Sequence, residues 1–273
     1  VNEGLAVVMA DGTFRRLHAK WFAAMQLPDN RRIVVGGDEQ YPPFEYLDGR
    51  GRPKGFNVDL TRAIAREMGL DIEIRLGPWS QIMQSLERGD IDAIQGMYFS
   101  IERDMAFDFT QPHAVNNYVA VVRRGEGEPP EALADLSGKR IVVQQGDIAH
   151  QYLQARGFGE RLSSTRSQED ALRELVAGRH DCALVARVTA LFLMEKNAWN
   201  NLALGRQPLL SPGYGFAVPN NRKALLAQFS EGLKLLKAGG EYQRIHDKWL
   251  GIYEHPRPSL LNAMRYSALV LVP

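Results

Sequence analysis

The chain has 273 residues, 45% of them hydrophobic and 24% charged, with a formal net charge of +1. This is ordinary globular composition without a single-sign charge block, which excludes a basic nucleic-acid-binding surface; no nucleic-acid partner is expected. A single cysteine excludes an intrachain disulfide, and six scattered histidines form no His-x-x-x-His pair, so neither a metal nor another cofactor is expected.

Taken in order, the chain opens on a stretch with a partner near its other end. Residues Val1 to Phe22 align without gaps onto Phe229 to Leu250. Glu3/Glu231, Gly4/Gly232, Leu5/Leu233, Gly12/Gly240, Arg16/Arg244, His18/His246, Lys20/Lys248 and Trp21/Trp249 are identical pairs. Each copy reads as helix, Gly break and second helix, and nothing else in the chain repeats. Residues 1–26 are therefore expected to be the helical tail of a preceding domain of the same type. Leu27-Pro28-Asp29-Asn30 reads as a linker.

The apolar run from Arg32 to Gly36 predicts a buried strand, followed by a loop, Gly37 to Phe44, that two prolines hold extended. Asp48-Gly-Arg-Gly51 predicts a hairpin-type turn. Helical spacing runs from Asn57 to a Gly69 C-cap, alternation from Asp71 to Leu76 predicts a strand, and a helix runs from Pro78-Trp79 to near Gly89.

The stretch Gly89 to Pro112 carries the most chemistry. It reads as a strand over Ile91–Gln95, a tight turn at Gly96 and a helix opening at Ser100, which can cap the first free N–H groups. Tyr98 adds an aromatic face, and Arg103 a guanidinium fork that fits a carboxylate. An anion site and an ordinary solvated arginine both fit this stretch taken alone.

A second strand–helix series follows. Strands are predicted at Asn117–Arg124, Lys139–Val143, Asp181–Val185 and Tyr214–Val218. Helices are predicted at Ile148–Arg156, Glu169–Ala177, Ala190–Lys196 and Arg222–Lys237. Alternating strands and helices imply parallel sheets with a site at the strand ends. Met83, Met97 and Met105 read as core or cleft wall. The apolar end of the chain, within 251–273, is expected to be a juxtamembrane segment and the start of a membrane helix.

Placed in order, Asp38-x-x-Tyr41-Pro-Pro-Phe44, Gly55-Phe-Asn-Val-Asp59-Leu60, Gly89-Asp-Ile-Asp92 and Ser100-Ile-Glu-Arg103 resemble the bacterial extracellular solute-binding proteins for polar amino acids. The resemblance covers about residues 31–251. It implies an α/β fold of the two-lobed periplasmic-binding-protein (Venus flytrap) kind, type II, with two crossover strands between lobes. Lobe one would be about 31–116 with 213–250, and lobe two about 117–212. It further implies that Arg103 clamps a ligand carboxylate and that Gly96 and Tyr98 bind beside it. Trp79 would form an aromatic wall, Asp38 and Tyr41 first-loop contacts, and Gly146, Asp147 and Ile148 a closing loop.

Two positions depart from the family pattern. Ile148 stands where a Ser or Thr is usual, and Ala186 where an Asp usually holds the ligand ammonium, with Arg187 next to it. A zwitterionic amino acid and an organic anion without an amine both stay open as ligands. The expected function is a periplasmic or extracellular sensor domain that closes on a small carboxylate or amino-acid-like solute. It would be tethered to the inner membrane through its C-terminal segment, with a homodimer an open expectation and a kinase as output. The alternatives are a solute-binding subunit of an amino-acid ABC transporter and, more remotely, a cleft enzyme such as a dehydratase. Catalysis is not expected, since no nucleophile–base pair is evident and only Asp147 and Glu39 suggest themselves for acid–base work.

Overall fold

The computed structural model describes residues 32–254 together with Gly4 and Thr13. The expected tail at 1–26 and the apolar run ending the chain thus lie outside the described residues, apart from those two positions and 251–254. Among the described residues, no helix is long and apolar enough to cross a membrane.

The first series comprises β1 (Ile33–Asp38), a small antiparallel sheet of β2 (Gln40–Tyr41), β3 (Glu45–Leu47) and β4 (Pro53–Lys54), then α1 (Phe56–Met68), β5 (Ile72–Gly77) and α2 (Trp79–Arg88). It continues through β6 (Ala93–Tyr98), α3 (Ile101–Asp104), β7 (Phe107–Phe109) and β8 (Ala114–Val115). The second series comprises β9 (Tyr118–Arg123), β10 (Ile141–Gln144), α4 (Ile148–Gln154), β11 (Leu162–Thr165), α5 (Gln168–Val176), β12 (Cys182–Ala186), α6 (Arg187–Lys196) and β13 (Leu202–Leu204). The chain then returns through β14 (Gly213–Pro219) and closes with α7 (Lys223–Ala238), α8 (Glu241–Trp249) and α9 (Gly251–Glu254).

These elements form two open sheets. One has the order β5-β1-β6-β14-β7, with β8 also on β14; the other has the order β11-β10-β12-β9-β13. β1 runs parallel to β5 and β6, and β10 parallel to β11 and β12, as strand–helix alternation requires. β14 lies antiparallel between β6 and β7, so the last strand completes the first lobe's sheet. The lobes are joined by the short passage from β8 to β9 and by the return from β13 to β14. These connections touch at the Tyr118–Leu210 bridge.

Each sheet is covered on both faces. Leu60, Ile64 and Met68 of α1 pack with Phe229 and Leu233 of α7 in one buried cluster, while Ile82 and Leu86 of α2 cover the opposite face with Ile91 and Ile94. Burial of each such side chain contributes about 1.5–3 kcal/mol. Gly69 and Gly89 end α1 and α2 in the left-handed conformation, as predicted.

Several expectations need correction. Gly96 is not in a turn but inside β6, which runs on to Tyr98 because it pairs with β14 there. Pro42 and Pro43 are joined by a cis peptide bond within a turn rather than an extended loop. Met105 is 75% exposed, so it is neither core nor cleft wall. Helix α6 begins at Arg187, whose N–H donates to Asn117 O (2.7 Å), earlier than its apolar spacing suggests.

One buried group is out of place. Gln228 on α7 is fully buried, and neither Nε2 nor Oε1 has a hydrogen-bond partner among the described residues. An unsatisfied buried amide costs about 1–3 kcal/mol. Gln228→Met keeps the shape and removes both polar atoms. It is expected to raise the melting temperature by about 3–6 °C, at about 2–4 °C per kcal/mol for a domain of this size. An unchanged or lower melting temperature would show that the amide is satisfied in solution.

Candidate ligand cleft between the lobes

The opening of α3 sets the site. Ser100 Oγ accepts from Arg103 N (3.2 Å) and fixes a single helical turn, which turns Arg103 inward to 3% exposure. Its guanidinium is held by three carbonyl groups: Nη1 donates to Tyr98 O (3.0 Å), Nη2 to Gly146 O (3.1 Å) and Nε to Gln151 Oε1 (3.0 Å). Tyr98 belongs to the first lobe and Gly146 and Gln151 to the second, so Arg103 spans the cleft. Trp79 at the start of α2 donates from Nε1 to the same Gly146 carbonyl (3.0 Å), with its ring centre 5.7 Å from the Arg103 guanidinium.

Beneath this clamp lies a cavity of about 30 Å³, room for a few water molecules at most with the lobes in this arrangement. Asp38, Tyr41, Trp79, Gly96, Tyr98, Arg103, Asp147 and Ile148 line it. Gly146 is not among the lining residues; its carbonyl accepts from Trp79 and Arg103, which are. Ala186 does not reach the cavity. It ends β12 fully buried, and its N–H donates to Gln168 Oε1 (3.0 Å). The neighbouring Arg187 points away, donating from Nη1 to Gly205 O (2.9 Å).

Four wall residues escaped sequence reasoning: Glu45, Tyr118, Gln144 and Tyr214. Glu45 directly follows the Pro-Pro-Phe motif and the pairing of β2 with β3 folds it inward. Its carboxylate accepts from Asp38 N (2.8 Å), Asn57 Nδ2 (2.9 Å) and Gln95 Nε2 (2.8 Å). Gln144, at the end of β10, donates across the cleft to Asp38 Oδ2 (2.6 Å). Tyr41 and Tyr98 bring their hydroxyls within 2.6 Å of each other, and Tyr98 packs edge-on against Tyr118. Glu39, considered for acid–base work, instead pairs with Arg166 outside this cavity.

Three buried carboxyl groups therefore share the cavity wall with one guanidinium. Asp147 caps α4 by accepting from His150 N (2.8 Å), and its other oxygen accepts from Tyr118 Oη (3.3 Å). Burial pushes its pKa up to about 7, against the pull of the His150 amide and Arg103. Burial likewise raises Asp38 to about 6 and Glu45 to about 8, despite the donors around each. A cation among these groups would restore their ionised forms, and the four tyrosines and Trp79 offer faces that suit one.

These shifts predict a stability profile. Asp147 and Glu45 have folded pKa values above their ordinary unfolded values, so the native state binds more protons near neutrality. Stability is lost as pH rises through about 7 and 8. Buried His113, lowered to about 3, acts in the opposite sense, but chiefly below pH 7. Between pH 7 and 8.5 the unfolding free energy of the ligand-free domain is expected to fall by about 1–2 kcal/mol. Urea unfolding at both pH values checks this, and a flat or rising profile would contradict it.

Residues 33–252 match the family described as bacterial extracellular solute-binding proteins, family 3. The L-cystine-binding protein TcyJ of Escherichia coli (strain K12) is 25% identical over 255 residues, covering 92% of this chain and 96% of that protein. ABC transporter arginine-binding protein 1 of the same organism is 29% identical over 224 residues, covering 80% and 90%. Among solved structures, a histidine kinase sensor domain with similarity to periplasmic binding proteins superposes with a TM-score of 0.78 at 42% identity, covering 81% of this chain and 96% of that one. An ancestral arginine-binding protein bound to glutamine gives a TM-score of 0.75 at 28% identity, covering 82% and 100%.

Proposed function

The chain belongs to the bacterial extracellular solute-binding proteins of family 3, and on that premise we propose that it is the extracytoplasmic sensor domain of a membrane receptor. It would close on an amino acid that carries a positive side chain. The observation that carries the ligand reading is the presence of Asp38, Glu45 and Asp147, all buried, around a cavity with Arg103 as its one cation among the lining residues. Arg103 would take the ligand carboxylate by exchanging the cross-cleft acceptors Gly146 O and Gln151 Oε1. Asp147, 5% exposed at the closing loop, would take the ammonium in place of the family aspartate that Ala186 replaces. Asp38 and Glu45 would meet the distal cation. The excess of carboxyl groups argues against an organic anion without an amine, because a second anionic group would face them unpaired.

The sensor assignment draws on the 42% identity to a histidine kinase sensor domain. Ligand would bias the lobes toward closure by binding that state better, and α8 and α9 would pass the change to a tether within 251–273. A second reading, a transport receptor, draws on the arginine- and cystine-binding relatives. Neighbouring permease and ATPase genes would favour it, and a kinase region downstream would exclude it.

A thermal-shift screen tests the ligand. L-Arginine or L-lysine is expected to raise the melting temperature by several degrees, and Asp147→Asn to weaken that shift. Succinate is expected to have no effect. A shift with succinate and none with either basic amino acid would sink the reading.

A further inference from the structure

A second depression lies between the lobes, a groove of about 560 Å³ that shares no lining residue with the ligand cavity. On the first lobe it is walled by Glu39, in the turn between β1 and β2, and by Tyr46 of β3. On the second lobe it is walled by Arg166, in the bend between β11 and α5, and by Phe192 of α6. Two contacts cross it. Glu39 Oε1 accepts from Arg166 Nη2, and the Tyr46 and Phe192 rings lie with their centres 6.2 Å apart. The other acids lining the groove are matched within their own lobes: Glu169 accepts from Lys196 Nζ (3.0 Å) and Asp48 from Arg52 Nη2 (3.0 Å).

The groove is tied to the cavity through one step of the chain. Asp38 and Glu39 are consecutive, yet Asp38 lines the cavity and Glu39 the groove. Both are met from the second lobe, Asp38 by Gln144 Nε2 (2.6 Å) and Glu39 by Arg166. Arg166 joins these two contacts, because its carbonyl O also accepts from Gln144 Nε2 (3.4 Å) while its guanidinium holds Glu39. A ligand that displaces Gln144 from Asp38 leaves the outer contacts in place.

We propose that Glu39–Arg166 and Tyr46–Phe192 form a latch on the outer rim that favours the closed arrangement of the lobes independently of ligand, with Arg166 as a positioning residue that sets affinity without touching the ligand. Parting the lobes at this rim breaks both contacts. Interactions made only in the closed arrangement raise its population, and apparent affinity scales with the population that is competent to bind. The Arg166 side chain is 60% exposed and that of Glu39 17%, so the ion pair acts close to solvent and weakens as salt rises. The ring pair has no such dependence. Closure of this domain therefore responds to ionic strength through one pair of side chains.

The test uses the ligand-free 273-residue chain carrying nitroxide labels at Glu87→Cys in α2 and Gln154→Cys in α4, both exposed and one on each lobe. The native Cys182 is buried and stays unlabelled. Pulsed electron paramagnetic resonance reads the separation of the lobes, with circular dichroism as the check on folding. At low salt, Arg166→Glu and Phe192→Ala are each expected to raise the long-distance population about twofold or more. The exchange Glu39→Arg with Arg166→Glu is expected to restore the wild-type distribution. Raising salt from about 0.05 to about 0.5 M is expected to move the wild type in the direction of Arg166→Glu and to leave Arg166→Gln unmoved. A distance distribution that Arg166→Glu does not change, or that the exchange does not restore, overturns the latch. Affinity for the basic amino acid found by the thermal-shift screen is the second readout: Arg166→Glu is expected to weaken it about 3- to 10-fold and the exchange to recover it. Unchanged affinity beside a changed distance distribution would overturn the role of Arg166 in binding. If neither L-arginine nor L-lysine binds, the ligand reading fails and the label distances still decide the latch.

Discussion

Replacing Arg103 by alanine is expected to weaken ligand binding by at least 100-fold while leaving the two sheets intact. The guanidinium is the lining cation that can meet a carboxylate, and it is already oriented by Tyr98 O, with Nη2 and Nε turned to the second lobe. Two hydrogen bonds from a charged donor contribute about 1.5–3 kcal/mol each, and about 1.4 kcal/mol is a factor of ten. Arg103→Lys keeps the charge without the planar fork, so an intermediate loss is expected. Titration calorimetry with the basic amino acid found by the screen measures both variants, with circular dichroism as the check on folding. Wild-type affinity in a folded Arg103→Ala protein would show that the carboxylate binds elsewhere.

Gly96→Ala is expected to be the more damaging change to the fold. A Cβ at this position would lie 2.1 Å from Tyr214 Oη and 2.4 Å from Asn57 Nδ2. Neither neighbour can retreat. Tyr214 is 2% exposed and packed against Tyr98 with ring centres 4.5 Å apart, while Asn57 donates to both Tyr214 Oη and Glu45. Overpacking costs about 1–3 kcal/mol, and displacing the Asn57 amide strips buried partners at about 1–3 kcal/mol more. A fall in melting temperature of about 10 °C is expected, with loss of ligand response because Tyr214 and Glu45, which this change disturbs, line the cavity. A variant that melts with the wild type would mean that the Tyr214 ring has room to shift.

What could be read from the sequence follows the strength of each local signal. Apolar runs such as that of β1 and helices ended by Gly69 or Gly89 declare themselves, because burial and backbone freedom act within a few residues. The strand β11, Leu-Ser-Ser-Thr, carries no such signal; it is a half-exposed edge recognised only by its pairing with β10. Gly96 was misplaced because glycine inside a strand and glycine in a turn look alike until Tyr214, 118 positions later, closes over it. The Ser100 cap was legible because it lies on one turn with Arg103, but that turn alone left Arg103 either in a site or in solvent, and its burial depends on Tyr98, Gly146 and Gln151. Glu45 and Gln144 were not, since a polar residue beside an apolar motif reads as a surface residue until two separate lobes enclose it. Ala186 shows the converse. The family resemblance gave it a site role, yet it is fully buried with its N–H on Gln168 and is not among the residues lining the cavity.

The position of β14 between β6 and β7 also bears on the order in which the molecule can be assembled during synthesis. The second sheet is encoded without interruption from Tyr118 to Leu204, so it can be completed as soon as that stretch has emerged. The first sheet cannot: β6 and β7 wait for an inner neighbour that arrives roughly a hundred residues later, with α7 and α8 to cover it. Until then they present unpaired edges, the kind of surface that associates with other chains. A nascent chain halted before Gly213 should therefore hold a protease-resistant second lobe beside an open, chaperone-dependent first one.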